Sequence, residues 1–341
     1  MKTAFVSGIT GQDGGYLAKL LLEKGYKVIG GVRRTSTDSL ERLRAHQVID
    51  KVEFVNFDVL EQSNISKVIR DIQPDEFYNL ADQSFVGSSF EQTIYTSTAT
   101  GLSVAYILDA IKSYSPHTKF YQASTSEMFG GSKDVPQGEQ TSFYPKSPYG
   151  VAKLYAHWMT INYRESYNMF ACSGILFNHE SPMRGKQFVT RKVTHAIAEI
   201  KYGLRKNFAL GNLYAKRDWG FAGDYVEGMW RILNHKTADD YVLATGETHS
   251  IKEFVDLAFK AADMEIRWEG TGIDEKAFLK KSDQMVLSID PQFYRPAEVD
   301  LLIGNATKAQ QILGWKPKVT FSGLIEMMVQ ADLEDVKRQL R

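Results

Sequence analysis

The opening of the chain restricts its fold more than any other stretch. TAFVSG (Thr3–Gly8) is apolar almost throughout and reads as a buried strand. GITGQDG follows at once, with glycines at 8, 11 and 14, and a helical pattern then puts Tyr16, Leu17, Leu20 and Leu21 on one side. A glycine-rich turn between a first strand and a first helix lets the backbone approach a pyrophosphate, and the helix N-terminus then faces the anion. The spacing alone would mark only a tight turn. Its position between the first strand and the first helix makes it a dinucleotide signal.

The same alternation continues. YKVIGGV, KVEFVNF, DEFYNLA, TKFYQAS and MFACSGILF read as further strands, separated for the most part by helical patterns that include a long one from about Tyr95 to Tyr114. Strands that are apolar on both sides and joined by helices predict a parallel sheet covered on both faces. The predicted class is α/β, a doubly wound parallel sheet of the Rossmann type over residues 1–177. Residues 178–341 are expected to form a smaller α/β substrate lobe, with some segments packing back on the first domain. Helices are predicted there around Thr190–Tyr202, Gly223–Asn234, Ile251–Ala262 and Ser322–Arg338, with short strands within NFALGN and DYVLATG.

Lys+Arg 41 balances Asp+Glu 41, so the whole-chain charge invites neither nucleic acid nor a membrane surface. The single cysteine, Cys172, lies in an apolar run and reads as a core residue. No Cys/His spacing suggests a metal site, and none is expected. With no signal-peptide pattern and no bilayer-length apolar run, a cytoplasmic location is expected.

The end of the second strand, GGVRRTST, carries Arg33 and Arg34 and no acidic residue. NAD binders usually place Asp or Glu there to hold a ribose diol, whereas guanidiniums suit a 2′-phosphate. The cofactor is therefore read as NADP. Asp58, just past the third strand, suits either the adenine amino group or a helix start.

QASTSEMFG ends the fifth strand and sets Ser124, Thr125, Ser126 and Glu127 where ligands bind in open α/β sheets. SPYGVAKLY (Ser147–Tyr155) then places Tyr149 and Lys153 one turn apart on the next helix. This order resembles the extended short-chain dehydrogenases/reductases. An ammonium beside a phenol favours its ionised form, so Lys153 would lower the pKa of Tyr149 toward that of a useful base. Thr125 would hold a sugar hydroxyl while Tyr149 removes its proton. Glu127 reads either as a solvated strand-end carboxylate or as the base of a dehydratase, which must remove a C5 proton and help expel a C6 hydroxyl.

Longer strings are more specific. FYQASTSEMFG, FYPKSPYGVAKLYAHW, GILFNHESP, AKRDWGFAGDYVEGMW and FYRPAEVDLLIGN resemble the GDP-mannose 4,6-dehydratases, and the resemblance runs from the first strand to the final helix. It implies an NADP-dependent hydro-lyase acting on GDP-mannose, with Thr125, Glu127 and Tyr149 catalytic and Lys153 assisting. It implies cofactor contacts from Gly8, Thr10, Gly11, Gln12, Asp13, Gly14, Arg33, Asp58, Val59, Leu80, Ala81, Gln83, Ser84, Tyr95, Lys153, His179 and Arg184. It further implies sugar-nucleotide contacts from Ser84, Ser126, Asn178, Val189, Lys192, Arg217, Arg295 and Glu298. It makes RRTST a candidate subunit contact and a homotetramer, a dimer of dimers, the expected assembly. Asp82, Phe85 and Thr98–Thr100 depart from the family pattern. A dehydratase of a related GDP-sugar such as GDP-heptose, or a nucleotide-sugar epimerase or 4-reductase, is the alternative.

Overall fold

The structure is a computed structural model and describes residues 1–294, 297, 299 and 301–340. Arg295 and Glu298 lie outside the described residues.

Six strands and their crossovers come from the first half: β1 (Thr3–Ser7), β2 (Lys27–Val32), β3 (Val52–Asn56), β4 (Glu76–Asn79), β5 (Lys119–Thr125) and β6 (Ala171–Leu176). A seventh strand, Tyr241–Leu243, pairs with β6, and the sheet runs Tyr241–Leu243, β6, β5, β4, β1, β2, β3. Every neighbouring pair is parallel. The order reverses at β1, so the switch point between β1 and β4 opens a crevice at the carboxyl ends.

The largely apolar character of the central strands follows from burial on both sides. Phe5, Phe77 and Phe120 stand side by side across β1, β4 and β5. They meet Ile65 and Ile69 of the helix Gln62–Ile72 and Val104, Ile107 and Ile111 of the helix Ser103–Tyr114. One residue later in register, Val6, Tyr78 and Tyr121 point to the opposite face, as strand geometry requires. There they join a core with Leu17, Ala18 and Leu21 of α1 (Gln12–Glu23) and Val226 and Met229 of the helix Ala222–Leu233.

The long helical pattern near Tyr95 forms as a run from Thr93 to Tyr114 that widens to π-helix over Ser97–Leu102. Gly101 sits in the widened turn, where an added Cβ would come within 3.3 Å of the Ala152 carbonyl oxygen. The side chain's absence lets this run lie close against the helix Pro148–Tyr167.

The second lobe has its own core and a four-stranded sheet ordered Ile266–Glu269, Lys276–Leu279, Met285–Ile289, Phe208–Leu210. Its helices Val189–Lys201, Ile251–Ala261 and Phe321–Gln339 lie within one residue of the predicted ends. A buried ion pair pins two of them together. Asp332, with no exposed surface, accepts from Arg191 Nε at 2.7 Å and from Thr194 Oγ1 at 2.7 Å. The strand within DYVLATG, which the sequence assigned to this lobe, instead completes the main sheet. Val242 and Leu243 are fully buried there, so their apolar run reflects the large core rather than the small one.

Candidate active site

A cleft of about 490 Å³ opens at the carboxyl ends of the strands. Its floor is the glycine turn. Gly8 has φ +70°, and a Cβ there would lie 2.7 Å from the backbone nitrogen of Ala81. A Cβ on Gly14 would lie 2.5 Å from the Gly8 carbonyl oxygen, so the first turn of α1 can pack against the end of β1 only with glycine. The Gly11 N–H closes the turn onto the Gly8 carbonyl at 2.9 Å. The Ser7 hydroxyl accepts from the N–H groups of Leu80 and Ala81, both at 3.2 Å, which fixes the end of β4 beside the turn. Gly8, Thr10, Gly11, Gln12, Asp13 and Gly14 all line the cleft.

Asp13 reaches across to the second half. Its Oδ2 lies 2.8 Å from His179 Nε2, while His179 Nδ1 lies 2.8 Å from the Phe177 carbonyl. Burial opposes the charge on each ring and carboxyl, but the pairing prevails. The Asp13 carboxyl is held below its ordinary range and the His179 imidazole above its own.

Arg33, Asp58, Val59, Leu80, Ala81, Ser84 and Tyr95 line the cleft. Arg33 Nη1 donates to the Tyr95 hydroxyl at 3.3 Å and stays exposed. Asp58 caps no helix. Its Oδ1 accepts from the Leu60 N–H at 3.0 Å, and the next helix starts at Gln62. Gln83 departs from expectation, because it does not line the cleft. Its N–H donates to Thr100 Oγ1 at 3.1 Å and its side-chain amide to the Phe85 carbonyl at 3.0 Å, which turn it toward the π-widened helix.

The reactive residues converge on the same cleft. Thr125 ends β5, and its hydroxyl accepts from the Glu127 N–H at 3.3 Å. Glu127 and Ser126 are buried and line the wall. Ser147 caps the helix Pro148–Tyr167 by accepting from the Gly150 N–H at 3.0 Å, with proline in the first turn. That cap sets Tyr149 in the first helical turn, hydrogen-bonded to the Thr125 side chain. Lys153 follows one turn on, its Nζ 5.7 Å from the Tyr149 ring centre. The expected lowering of the Tyr149 phenol is not what the protein alone produces. Burial pushes it well above its ordinary value, and the carboxylates of Asp82 and Glu127 push it further, against the Thr125 hydrogen bond and Arg184. Lys153 is itself engaged, with Asp82 Oδ2 at 2.6 Å.

Ser84, Ser126 and Asn178, from the sugar-nucleotide set, line the cleft together with His179 and Arg184. Arg184 stacks on Phe188, 3.6 Å from guanidinium carbon to ring centre, and pairs with Glu180 at 3.1 Å. The Asn178 carboxamide oxygen is buried in the cleft wall with no hydrogen-bond partner among the described residues, as suits a ligand-facing atom. Val189, Lys192 and Arg217 do not line this cleft and lie in the second lobe. Val189 opens the helix Val189–Lys201, and Lys192 Nζ sits 3.5 Å from the Phe293 ring centre. Arg217 is buried in a short antiparallel pair with His249. The cleft also includes Thr35, Ser39, Phe57 and Asp82, none of them in the predicted site. Thr35 lies in the RRTST stretch read as a candidate subunit contact, no motif marks Ser39 or Phe57, and Asp82 was visible as a departure from the family pattern.

Comparison with known proteins shows the family. The family model described as GDP-mannose 4,6 dehydratase matches residues 5–328. The GDP-mannose 4,6 dehydratase of Drosophila melanogaster is 48% identical over 99% of this chain and 87% of its own length. That of Homo sapiens is 48% identical over 97% of this chain and 91% of its own. The enzyme of that name from Vibrio cholerae is 45% identical over 98% of this chain and 95% of its own. Among solved structures, a dTDP-glucose 4,6-dehydratase from Bacillus anthracis in complex with NAD superposes with a TM-score of 0.80 at 20% identity, covering 100% of both chains. RMD from Pseudomonas aeruginosa complexed with NADPH gives 0.76 at 20% identity, covering 98% of this chain and 100% of its own. At that identity the two structures speak to the fold alone. With a family match over nearly its whole length and relatives close to half identical, this chain belongs to the GDP-mannose 4,6-dehydratase family.

Proposed function

We propose that the cleft converts GDP-mannose to GDP-4-keto-6-deoxymannose and water, with NADP as its resident cofactor. The observation that carries this reading is the buried carboxylate of Glu127 on the same wall as Thr125, Tyr149 and Lys153. The glycine turn, whose Gly8 and Gly14 have no room for a Cβ, would receive the pyrophosphate at the N-terminus of α1. Arg33 would hold the 2′-phosphate, Asp58 and Val59 the adenine end, and Leu80, Ala81, Ser84, Tyr95, Lys153, His179 and Arg184 the remainder. When bound, NADP supplies a reversible hydride acceptor, oxidising C4 and returning the hydride at C6.

The chain's own residues handle the protons. Thr125 holds the C4 hydroxyl and Tyr149 takes its proton. The C4 ketone acidifies the C5 proton, which Glu127 removes. Glu127 then protonates the departing C6 hydroxyl, which leaves as water, and as C6 is reduced C5 takes back the proton held by Tyr149, which returns the phenol to its starting ionisation state. Asn178, Val189, Lys192, Arg217, Arg295 and Glu298 would hold the GDP moiety, the cations opposite its diphosphate.

A second copy of this chain is the proposed partner. Ile94, Leu102, Val151, Tyr155 and Trp158 are exposed on the neighbouring helical runs Thr93–Tyr114 and Pro148–Tyr167, and a matching copy would cover them. The exposed RRTST loop would serve a second contact and so a tetramer. A cytoplasmic setting belongs to the same proposal. No described helix is long and apolar enough to cross a membrane. The lone thiol of Cys172 is buried, with its pKa pushed up to about 12 chiefly by that burial.

Incubation with GDP-mannose in D2O without added reductant tests the reaction. The expected product is a 4-keto-6-deoxy sugar carrying solvent deuterium at C5, with no net NADPH. Stoichiometric NADPH, or an epimer that keeps its C6 hydroxyl, would overturn the proposal.

A further inference from the structure

Lys153 is not simply a cation beside a phenol. Its ammonium lies 2.6 Å from Asp82 Oδ2 and donates to the Ala123 carbonyl at 2.7 Å. Both partners of the ion pair are nearly buried, the Lys153 side chain 4% and that of Asp82 12% exposed. Asp82 follows β4, and Ala123 lies in β5. The ammonium is thus tethered to two adjacent strand ends, and Asp82 and Lys153 face the same cleft as Tyr149.

The charges around Tyr149 come from every side of the cleft. Lys153 lies on its own helix, Asp82 beyond β4, Glu127 beyond β5, and Arg184 beyond the short strand Asn178–Glu180. Asp82 and Glu127 oppose ionisation of the phenol, and Arg184 favours it. An ammonium bound to a carboxylate projects much less field than a lone one, because the two charges largely cancel at a third site.

We propose that Asp82 is a positioning residue that acts on Tyr149 through Lys153, anchoring the ammonium at the ends of β4 and β5 and offsetting its charge at the phenol. Tyr149 then ionises at a higher pH than Lys153 alone would set. The inference rests on the reading of Tyr149 as the base of the first step, but it can be tested apart from that reading. A purely structural ion pair would change stability and leave the ionisation of Tyr149 where it was.

The experiment compares wild-type enzyme with Asp82→Asn, which keeps the side chain's shape and removes its charge. Tyrosinate absorbance is titrated in each background against the matching Tyr149→Phe variant, so that the difference reports Tyr149 alone. The pH profile of kcat/KM for GDP-mannose is measured in parallel. In Asp82→Asn, Tyr149 is expected to titrate lower by about one pH unit or more, with the acid limb of the profile moving the same way. Asp82→Glu, which restores the charge, should move both back toward wild type. A Tyr149 titration unchanged or raised in Asp82→Asn overturns the proposal. If Asp82→Asn does not fold, Asp82→Ala is read by the same criteria. If Tyr149→Phe turns over normally, Tyr149 is not the base, yet the tyrosinate titration still decides what Asp82 does to it.

Discussion

In the sheet-bearing half, several of the residues that meet the cleft leave the ends of parallel strands directly. Gly8 follows β1, Asp82 lies three residues after β4, and Thr125 is the last residue of β5. In the second lobe, Lys192 comes from a helix and Arg217 from a two-residue strand, and both carry long side chains. Backbone ends fixed by a seven-stranded sheet can hold reacting atoms to a fraction of an ångström. Long cationic side chains tolerate more slack and suit the gripping of a diphosphate. On the proposed function, chemistry and affinity would be divided between two kinds of scaffold.

Three substitutions would break or sharpen that division. Glu127→Gln should lower turnover of GDP-mannose by about 10²–10⁴-fold, with calorimetric affinities for GDP-mannose and NADP little changed. A variant that kept wild-type turnover would remove elimination chemistry from the sheet half. Lys192→Ala should raise KM roughly tenfold while kcat changes less than about threefold. A kcat loss matching the KM change would show that the second lobe shapes the transition state as well.

The smallest effect belongs to the seam. His179 joins the glycine turn to the second half through Asp13. His179 is raised, so its share of stability is complete below the ordinary imidazole range and fades as pH rises through its folded value. Asp13 is lowered, so its share is complete above the ordinary carboxylate range and fades as pH falls through its folded value. His179→Gln should therefore cost most, about 2 kcal/mol, between about pH 4 and 6.5, and less in alkali. Urea unfolding across pH checks this, and a cost that grew toward alkaline pH would exclude the ion pair as its source.

Much of the sheet half was legible because its signals are local. The β1 turn and the one-turn spacing of Tyr149 and Lys153 each occupy a few consecutive residues. The rest depends on partners distant in sequence. Tyr241–Leu243 could have edged either sheet, and only the exposed side of β6 decides. The turn of Gln83 toward Thr100 depends on a π-helical widening that no composition announces. Most consequential is the Asp82–Lys153 pair, which spans 71 positions, and the raised Tyr149 phenol, which reflects burial first and the Asp82 and Glu127 carboxylates after it. In the second lobe the helices were legible from their periodicity. The reach of Lys192 and Arg217 was not, because their direction is a tertiary matter.

The strand Tyr241–Leu243 has a consequence for biosynthesis. It caps the outer edge of β6, yet it is made only after the Val189–Lys201 and Ala222–Leu233 helices. While a ribosome is still adding those segments, the nascent sheet carries an unpaired margin whose every residue the finished fold buries. The sheet is therefore still incomplete at that stage of translation. Its last edge is sealed only when a segment from the opposite half of the polypeptide arrives.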